Sequence, residues 1–184
     1  MLIRAATTAD AEVVTAIYAP WVTTSHTSFE LTAPTVAEMA RRIEATTMRY
    51  PWLVAVIEGT VAGYAYAAQH QARAAYQWSV GVSVYVHGEF YRCGVGRRLY
   101  EALFAILRRQ GYINAYADIA LPNPASVALH EALGFEPIGV CRDVGFKLNG
   151  WRDVGWWGLR LQPPPPDPPP PVPFPRLPDT REPH

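Results

Sequence analysis

The proline content of the C-terminal segment is the strongest constraint on how this chain can fold. From Pro163 onward, the segment PPPPDPPPPVPFPRLPDTREPH holds 12 of the 18 prolines. Proline has a fixed φ and no backbone N–H, so such a run can form neither a helix nor a sheet ladder. We therefore expect a folded domain at residues 1–162 and an extended, proline-rich tail at residues 163–184.

The tail allows two interpretations at this point. A PxxP segment can bind an aromatic groove on a partner protein, which would make the protein a scaffold. Alternatively, the tail is a solvated appendage or a spacer that packs on its own domain. We favour the second interpretation.

Charge and composition exclude several classes of protein. The chain has 184 residues, of which 49% are hydrophobic and 17% charged, as in an ordinary soluble globular protein. Its 16 basic and 16 acidic side chains cancel, so no strong positive field exists to attract DNA or RNA. We expect no nucleic-acid partner.

Cysteine usage and hydropathy indicate where the protein works. Cys93 and Cys141 lie far apart, in a spacing that fits neither a disulfide framework nor a zinc site. The N-terminus lacks the basic-then-apolar run of a secretory signal, and no stretch reaches the roughly 18 apolar residues of a membrane span. The sequence predicts a cytoplasmic protein with no metal and no membrane partner.

Hydrophobic periodicity and capping signals predict strands and helices in the order β-α-α-β-β-β-α-β-α-β-β. Thr35 and Glu38 have the spacing of a capping box, and Glu58-Gly59 is typical of a tight turn. The order predicts an α+β fold, whose mixed, mostly antiparallel sheet carries helices on both faces. The predicted elements cover residues 2–5, 11–19, 35–50, 52–57, 60–68, 76–86, 99–111, 112–120, 123–133, 135–141 and 151–161, with a loop at residues 20–34.

A glycine-containing turn between a strand and a helix is the first candidate site. In the segment Arg92-Cys93-Gly94-Val95-Gly96-Arg97, glycines allow backbone N–H groups to converge on an anion at a helix N-terminus. The arginines place guanidinium groups beside the same amides, which favours a pyrophosphate ligand over a plain structural turn. The segment is neither a Walker A loop, since no Gly-Lys-Ser/Thr follows, nor a Rossmann fingerprint.

Several segments together resemble the GNAT superfamily of N-acetyltransferases, which bind acetyl-CoA. They are the Arg92–Gly96 loop, the segment Leu121–Ser126 and the segment His130–Phe135. Four further segments look like the phosphinothricin and methionine sulfoximine acetyltransferase branch: Tyr50–Ala55, Ala72–Trp78, the LHEALGF run at residues 129–135 and Gly150–Trp157. The resemblance spans residues 2–161. One departure is Tyr91, where the family's motif usually starts with Gln or Arg.

The resemblance implies a site for acetyl-CoA between two splayed strands. Pantetheine would pair with the exposed backbone of Val84, Tyr85 and Val86. The diphosphate would bind the backbone amides of the loop, at Arg92, Gly94, Val95, Gly96 and Arg97. Asn123 and Ser126 would hold the pantetheine and thioester end, and Asn123 also suits a helix N-cap.

The resemblance also assigns catalytic and substrate-binding residues. His130 occupies the helix position of the acid that protonates the departing thiolate, as acid, proton relay or thiolate partner. Arg73 would bind the carboxylate of an amino-acid-like substrate in two hydrogen bonds, with Tyr76 beside it. Phe29 matches an aromatic wall of the substrate pocket.

One position departs from the family at a chemically important point. Relatives carry a glutamate where this chain has Gly81, and that carboxylate is regarded as the general base or as the residue that orients a base water. Three explanations are open: a substrate amine that arrives neutral or loses its proton to bulk water, a substitute base such as Glu30, Glu89 or His130, or an inactive relative. Loss of a general base typically costs on the order of 10²- to 10⁴-fold in rate.

The tryptophans near the C-terminal end of the domain raise the question of assembly. Members of this branch commonly form dimers, and Trp151, Trp156 and Trp157 suit either an interface or burial within one subunit. We expect a homodimer.

The sequence therefore predicts an acetyl-CoA-dependent N-acetyltransferase that acts on a small amine, an amino acid or analogue, by direct attack in a ternary complex. Neither Cys93 nor Cys141 has the position of a nucleophile beside a base, which argues against a covalent enzyme intermediate. The first alternative is an acyl-CoA-binding sensor or degenerate enzyme that lost its chemistry with the glutamate. A protein lysine or N-terminus as acceptor is a further alternative.

Overall fold

The computed structural model of the protein describes residues 1–178. The strands are β1 (Leu2–Ala5), β2 (Trp52–Ile57), β3 (Thr60–Gln69), β4 (Ser79–Val86), β5 (Asn114–Ala120), β6 (Glu136–Lys147) and β7 (Gly150–Arg160). They form one seven-stranded sheet with the order β1-β2-β3-β4-β5-β7-β6, in which only the β4–β5 pair is parallel. The helices are α1 (Ala11–Thr23), α2 (Val36–Thr47), α3 (Val95–Gln110) and α4 (Pro124–Glu131).

Helices cover both faces of the sheet, as the sequence predicts. On one face, α3 buries Leu99, Leu103 and Leu107, whose spacing of four residues places them on one side of a helix. On the other face, α1 and α2 enclose a second core that includes Val14 and Ile43. The sheet is therefore the middle of three layers, and different helices pack on its two faces.

Local signals account for the helix boundaries. The Thr35 hydroxyl accepts a hydrogen bond from the Glu38 amide at 3.1 Å and so caps α2. Helix α3 begins after Gly94 and ends at Gly111, and both glycines are left-handed, with φ of 76° and 92°. Within the described residues, no helix combines the length and apolar character needed to cross a membrane.

Several predicted boundaries are wrong, and three of them have a clear physical reason. Helix α1 runs through Pro20 to Thr23, although a proline inside a helix costs about 3 kcal/mol. Burial of Val22, 1% exposed, offsets that cost. Strand β4 starts at Ser79, because Tyr76 belongs to a short 3₁₀ helix. Strand β6 continues to residue 147, with two register shifts against β7 that let the longer strand keep pairing.

The tail packs on the domain as far as Pro178. The Val172 amide donates to the Gln110 carbonyl at 2.8 Å, and the Gln110 side-chain amide donates back to the Val172 carbonyl at 2.8 Å. The Trp78 indole N–H donates to the Pro169 carbonyl at 2.8 Å. These contacts fit the spacer interpretation, while the part of the predicted tail at residues 179–184 lies outside the described residues.

Candidate active site

The cleft between β4 and β5 is the central feature of the candidate site. The two strands pair only where Ser79–Gly81 face Asn114–Tyr116, and beyond that point they diverge. From Val82 onward the β4 backbone therefore lacks a strand partner on the β5 side. A chain of amide groups left without partners can pair with a ligand that carries its own amides.

A loop at the end of β4 closes one end of this cleft. Gly94 takes φ of 76° and Arg92 takes φ of 64°, and this turn aims the loop at the first turn of α3. The amides of Val95, Gly96 and Arg97 have no acceptor within the helix, since the first helical bond runs from the Arg98 amide to the Gly94 carbonyl at 3.1 Å. The loop thus presents several N–H groups at the positive end of a sixteen-residue helix.

The loop is also open enough for a ligand. A Cβ on Gly94 would have no neighbour within 4 Å, and the side chains of Arg92 and Arg97 are exposed. Gly96, in contrast, is buried, and a Cβ there would lie 3.1 Å from Leu129 on α4. The residues present therefore fit a diphosphate group.

Helix α4 begins beside the cleft. The Asn123 side-chain oxygen accepts from the Ser126 amide at 3.1 Å, so the predicted N-cap geometry is present. Both residues line the cleft together with Val84, Tyr85 and His130. The first turn of α3, which follows the loop, adjoins both sides of this cleft, because a Cβ on Gly96 would lie 3.1 Å from Leu129 of α4 and 3.8 Å from Val84 of β4.

His130 is buried in this cleft, and both of its ring nitrogens form internal hydrogen bonds. Its Nδ1 lies 2.8 Å from the Ser126 carbonyl, which can only accept, so Nδ1 carries the proton. Its Nε2 lies 3.0 Å from the Tyr100 hydroxyl, which therefore donates to it. Burial lowers the pKa of His130 and raises the pKa of Tyr100, so both groups are held neutral.

Sequence reasoning missed two titratable residues that line this cleft. Tyr100, from α3, was predicted only as part of a helix, although it lines the cleft beside His130. Asp118 of β5 also lines the cleft. The sequence does mark Asp118 as unusual, because it is a charged residue within the otherwise apolar run Ala115–Ala120 of a central strand.

The segment at residues 24–34 lies over the acceptor side of the cleft. Thr27 lines the cleft, and the Phe29 ring packs against Gly145 of β6, where a Cβ would lie 2.1 Å from it. The Lys147 ammonium, 6% exposed, donates to the Ser28 carbonyl at 2.6 Å. Burial lowers the pKa of Lys147. Two contacts thus attach this segment to the β6–β7 hairpin.

The predicted carboxylate-binding residues lie at the edge of the site. Arg73 and Tyr76 are exposed in the connection between β3 and β4, outside the described lining of the cleft. The Tyr76 ring lies 6.1 Å from the His70 ring, which in turn stacks on Tyr116 at 4.3 Å. Tyr116 is the ladder partner of Gly81. The β3–β4 connection therefore lies next to the end of the cleft at which Gly81 stands.

Glu30 belongs to a second cavity, between α1, α2 and the sheet. Two nitrogens of Arg42 donate to its carboxylate at 2.7 and 3.1 Å, and the Tyr18 hydroxyl donates at 2.9 Å. These hydrogen bonds, Arg42 first, lower the pKa of Glu30. Glu30 is therefore a carboxylate already satisfied by its own neighbours, away from the β4–β5 cleft.

Comparison with known proteins agrees with this geometry. Residues 3–156 match the family model of the acetyltransferase (GNAT) domain. The chain is 44% identical over 164 residues to the phosphinothricin N-acetyltransferase of Streptomyces viridochromogenes, covering 89% of this chain and 90% of that protein. It is 34% identical to the L-methionine sulfoximine/L-methionine sulfone acetyltransferase of Salmonella typhimurium, covering 88% of this chain and 95% of that protein.

A solved structure with bound ligand shares the fold. The crystal structure of a phosphinothricin acetyltransferase from Sinorhizobium meliloti, in complex with acetyl-CoA, has a TM-score of 0.83 and 37% identity, and the match covers 86% of this chain and 87% of that one. Within the described residues of our chain, no group of three His, Cys, Asp or Glu side chains could hold a metal ion. The splayed strands, the amide-lined loop and these similarities together show that the chain belongs to the GNAT family of acetyl-CoA-dependent N-acetyltransferases.

Proposed function

We propose that the protein transfers the acetyl group of acetyl-CoA to the amine of a small amino acid or analogue of the phosphinothricin or methionine sulfoximine type. One observation carries this proposal: a buried, neutral His130 lines the β4–β5 cleft, and the anion-binding loop leads into the first turn of α3, where a Cβ on Gly96 would lie 3.8 Å from Val84 of the same cleft. That arrangement suits a long thioester substrate whose phosphates and reacting carbon are far apart. The relatives of matching length acetylate small amines, as their names state.

The residues for the thioester substrate follow from the cleft. We assign the pantetheine to the unpaired backbone of Val84, Tyr85 and Val86, and the diphosphate to the loop amides. Asn123 and Ser126 stand at the thioester end. Acetyl-CoA supplies the activated acetyl group when it binds here, while the chain orients it and excludes water.

For the leaving thiolate, we assign a proton relay to His130 and Tyr100. Both ring nitrogens of His130 form hydrogen bonds, and the imidazole is neutral. At neutral pH His130 therefore does not act as a cationic acid. The Tyr100 hydroxyl already directs its proton at Nε2. The pair is therefore preorganised and needs little reorganisation when negative charge develops on the leaving sulfur.

For the acceptor, we assign its carboxylate to Arg73 and a wall of its pocket to Phe29 and Tyr76. Arg73 is exposed, with its guanidinium available for two hydrogen bonds to a carboxylate. A small amino acid bound there would lie between the 70–76 connection and the segment at residues 24–34.

Assembly and location belong to the same proposal. Strand β6 is exposed along nearly its whole length, and the β6–β7 hairpin presents the apolar side chains Ile138, Val140, Val144, Phe146 and Trp151. An edge strand with so much exposed apolar surface suits a second copy of this chain, so we propose a homodimer through this hairpin in the cytoplasm. Trp157 is buried within the subunit and donates to Glu131 at 3.2 Å.

The test is coenzyme A release from acetyl-CoA with phosphinothricin, methionine sulfoximine, methionine sulfone, common amino acids and polyamines. We expect turnover with an α-amino acid or analogue, and a KM raised about 100-fold in Arg73→Ala, the magnitude of a lost charged bidentate contact. Tight binding of acetyl-CoA with no turnover on any amine would support the sensor alternative. Turnover that is indifferent to Arg73→Ala would remove the carboxylate assignment.

A further inference from the structure

The reaction needs a proton acceptor that the expected strand position does not supply. At neutral pH an amino acid carries an ammonium group, which must lose a proton before its nitrogen can attack a thioester. Gly81 has no side chain, and a Cβ there would meet nothing within 4 Å. The space beside Gly81 is therefore open to a group from another element.

The structure disfavours the substitutes that the sequence suggests. Glu30 is bound by Arg42 and Tyr18 in the second cavity, and these contacts lower its pKa, which weakens it as a base. The side chain of Glu89 is 81% exposed and stands in the 3₁₀ helix Gly88–Phe90 at the loop end, opposite the acceptor end. His130 already uses both ring nitrogens.

Asp118 stands at the right place in the sheet. Gly81 pairs with Tyr116 in the parallel ladder, and Asp118 is two residues further along β5. Residues two apart point to the same face of a strand, so Asp118 projects on the face that a side chain at position 81 would use, about 7 Å further into the cleft. Of the described residues that line the cleft, Asp118 is the one with a carboxylate.

A half-buried histidine accompanies this carboxylate. The His70 ring, just after β3, stacks on Tyr116 with ring centres 4.3 Å apart and contacts the edge of Trp156 at 6.0 Å. Trp156 is the ladder partner of Asp118, so His70 and Asp118 flank the same pair of aromatic rings. Tyr76 also faces this cluster, and its ring centre lies 6.1 Å from that of His70.

The surroundings tune both groups toward proton exchange. Burial raises the pKa of Asp118, and the field of His70 opposes that rise. Burial lowers the pKa of His70, and the field of Asp118 opposes that fall. A carboxylate whose pKa is raised is a stronger base than an ordinary one.

We propose that Asp118 is the proton acceptor for the substrate ammonium group, in place of a side chain at position 81, and that His70 is its positioning residue. The inference rests on the proposed acetyltransferase function. One ammonium N–H bond breaks and its proton goes to the Asp118 carboxylate, and the freed electron pair forms the C–N bond. On collapse the C–S bond breaks, a second nitrogen proton goes to solvent, and the thiolate takes a proton through the relay of Tyr100 and His130; the third hydrogen remains on the amide.

The first experiment compares Asp118→Asn with the wild-type protein on an acceptor that the wild type acetylates. Asn has the same shape but cannot accept the proton, so we expect kcat/KM to fall about 10²- to 10⁴-fold. Acetyl-CoA affinity by calorimetry should stay within about twofold. Glu89→Gln is the matched control, because it neutralises an exposed carboxylate outside the acceptor end, and it should keep wild-type turnover.

The second experiment asks whether position 81 and Asp118 are interchangeable. In the Asp118→Asn background, Gly81→Glu places a carboxylate in the open space beside the cleft and should recover tenfold or more of the lost rate. A loss of rate caused by misfolding would not be recovered by a carboxylate at a different residue. Failure of Gly81→Glu to recover any rate in a folded double variant would count against the proposal.

The pH profile provides a third, independent measurement. Wild-type kcat/KM should fall as the pH drops through the pKa of Asp118, whereas in Asp118→Asn it should rise about tenfold per pH unit until the substrate amine itself deprotonates. His70→Phe keeps the ring stack but removes the field that lowers the pKa of Asp118, so the acidic limb should move to higher pH. Unchanged rate and pH profile in Asp118→Asn would overturn the inference. A wild type inactive on every amine would instead overturn the proposed function.

Discussion

The two ends of the β4–β5 cleft present different kinds of binding groups. At the loop end, the binding groups are backbone amides of residues 92–97, held by a left-handed glycine and a helix N-terminus. At the acceptor end, they are side chains that come from α3, β5, α4 and the segment at residues 24–34. The first end requires one short segment to fold correctly, while the second requires four distant segments to meet.

This difference predicts how each end responds to sequence change. A site made of amides tolerates almost any side chain that does not fill it, but it depends on a backbone conformation that few residues adopt. A site made of side chains can replace one group by another from a neighbouring strand. Gly81 has no carboxylate, but Asp118 lies on the next strand, two residues beyond the ladder partner of Gly81. In our proposal, the Asp118 carboxylate replaces the missing one.

The largest effect should come from the loop end. Gly94→Val places a β-branched residue at φ of 76°, where it is strained, and should turn the loop amides away from the diphosphate. Loss of two or three charged hydrogen bonds predicts acetyl-CoA binding weaker by about 100-fold, measured by calorimetry. Gly59→Val is the control, because Gly59 has φ of 83° and equal space but lies in the β2–β3 turn. Equal weakening in both variants would mean that strain alone matters.

A second prediction separates the cleft from the tail. Deleting residues 163–184 exposes the surface around Gln110, which is 1% exposed, and removes the Pro169 acceptor of the Trp78 indole. We expect the free energy of unfolding to fall by about 2 kcal/mol in urea titrations, with acetyl-CoA affinity unchanged. Trp78→Phe, which removes one of these hydrogen bonds, should cost about 1 kcal/mol. Loss of acetyl-CoA binding in the deletion would contradict the tail's proposed role as a spacer outside the catalytic domain.

The acceptor end should respond to a smaller change. Gly145→Ala introduces a methyl group into the Phe29 ring, which must move together with the segment that carries it. We expect KM for the acceptor to rise about tenfold, equivalent to about 1.4 kcal/mol, while acetyl-CoA affinity is unchanged. Gly139→Ala, on the same strand with open space around it, should leave both constants unchanged.

The smallest effect concerns pH and stability. The folded-state pKa of His130 lies below its unfolded value near 6.5, so the unfolded chain binds the extra proton. The stability contribution of neutral His130 is therefore present above about pH 6.5 and is lost as the pH falls below it. Urea midpoints at pH 7.5 and 5.5 should differ less in His130→Gln than in the wild-type protein. An identical difference in both would show that His130 does not titrate on unfolding.

The order of elements could be predicted because it depends on local signals. The Glu58-Gly59 turn, the cap of Thr35 and the glycines that flank α3 each act within a few residues. The end of α1 was missed for a reason that lies outside the helix. Proline opposes the helix locally, and the packing of Val22 against distant residues decides the outcome.

The candidate site also has one part that local sequence signals predict and another part that depends on distant contacts. The loop at residues 92–97 was visible as glycines and arginines in one short segment. Tyr100 and Asp118 were not recognised, because their role depends on the divergence of β4 from β5, which brings α3 and β5 to the same cleft. The packing of Phe29 on Gly145 joins residues 116 positions apart, and no local pattern records it.

The buried contact between Lys147 and the Ser28 carbonyl has a practical consequence. Lys147 is the single lysine of the chain; the remaining 15 basic residues are arginines, whose guanidinium groups resist acylation. A lysine-directed acylating reagent would therefore modify the Lys147 side chain only when the segment at residues 24–34 lifts from the hairpin. The rate of that modification, followed by mass spectrometry, would report how often the acceptor end opens, with no background from other lysines.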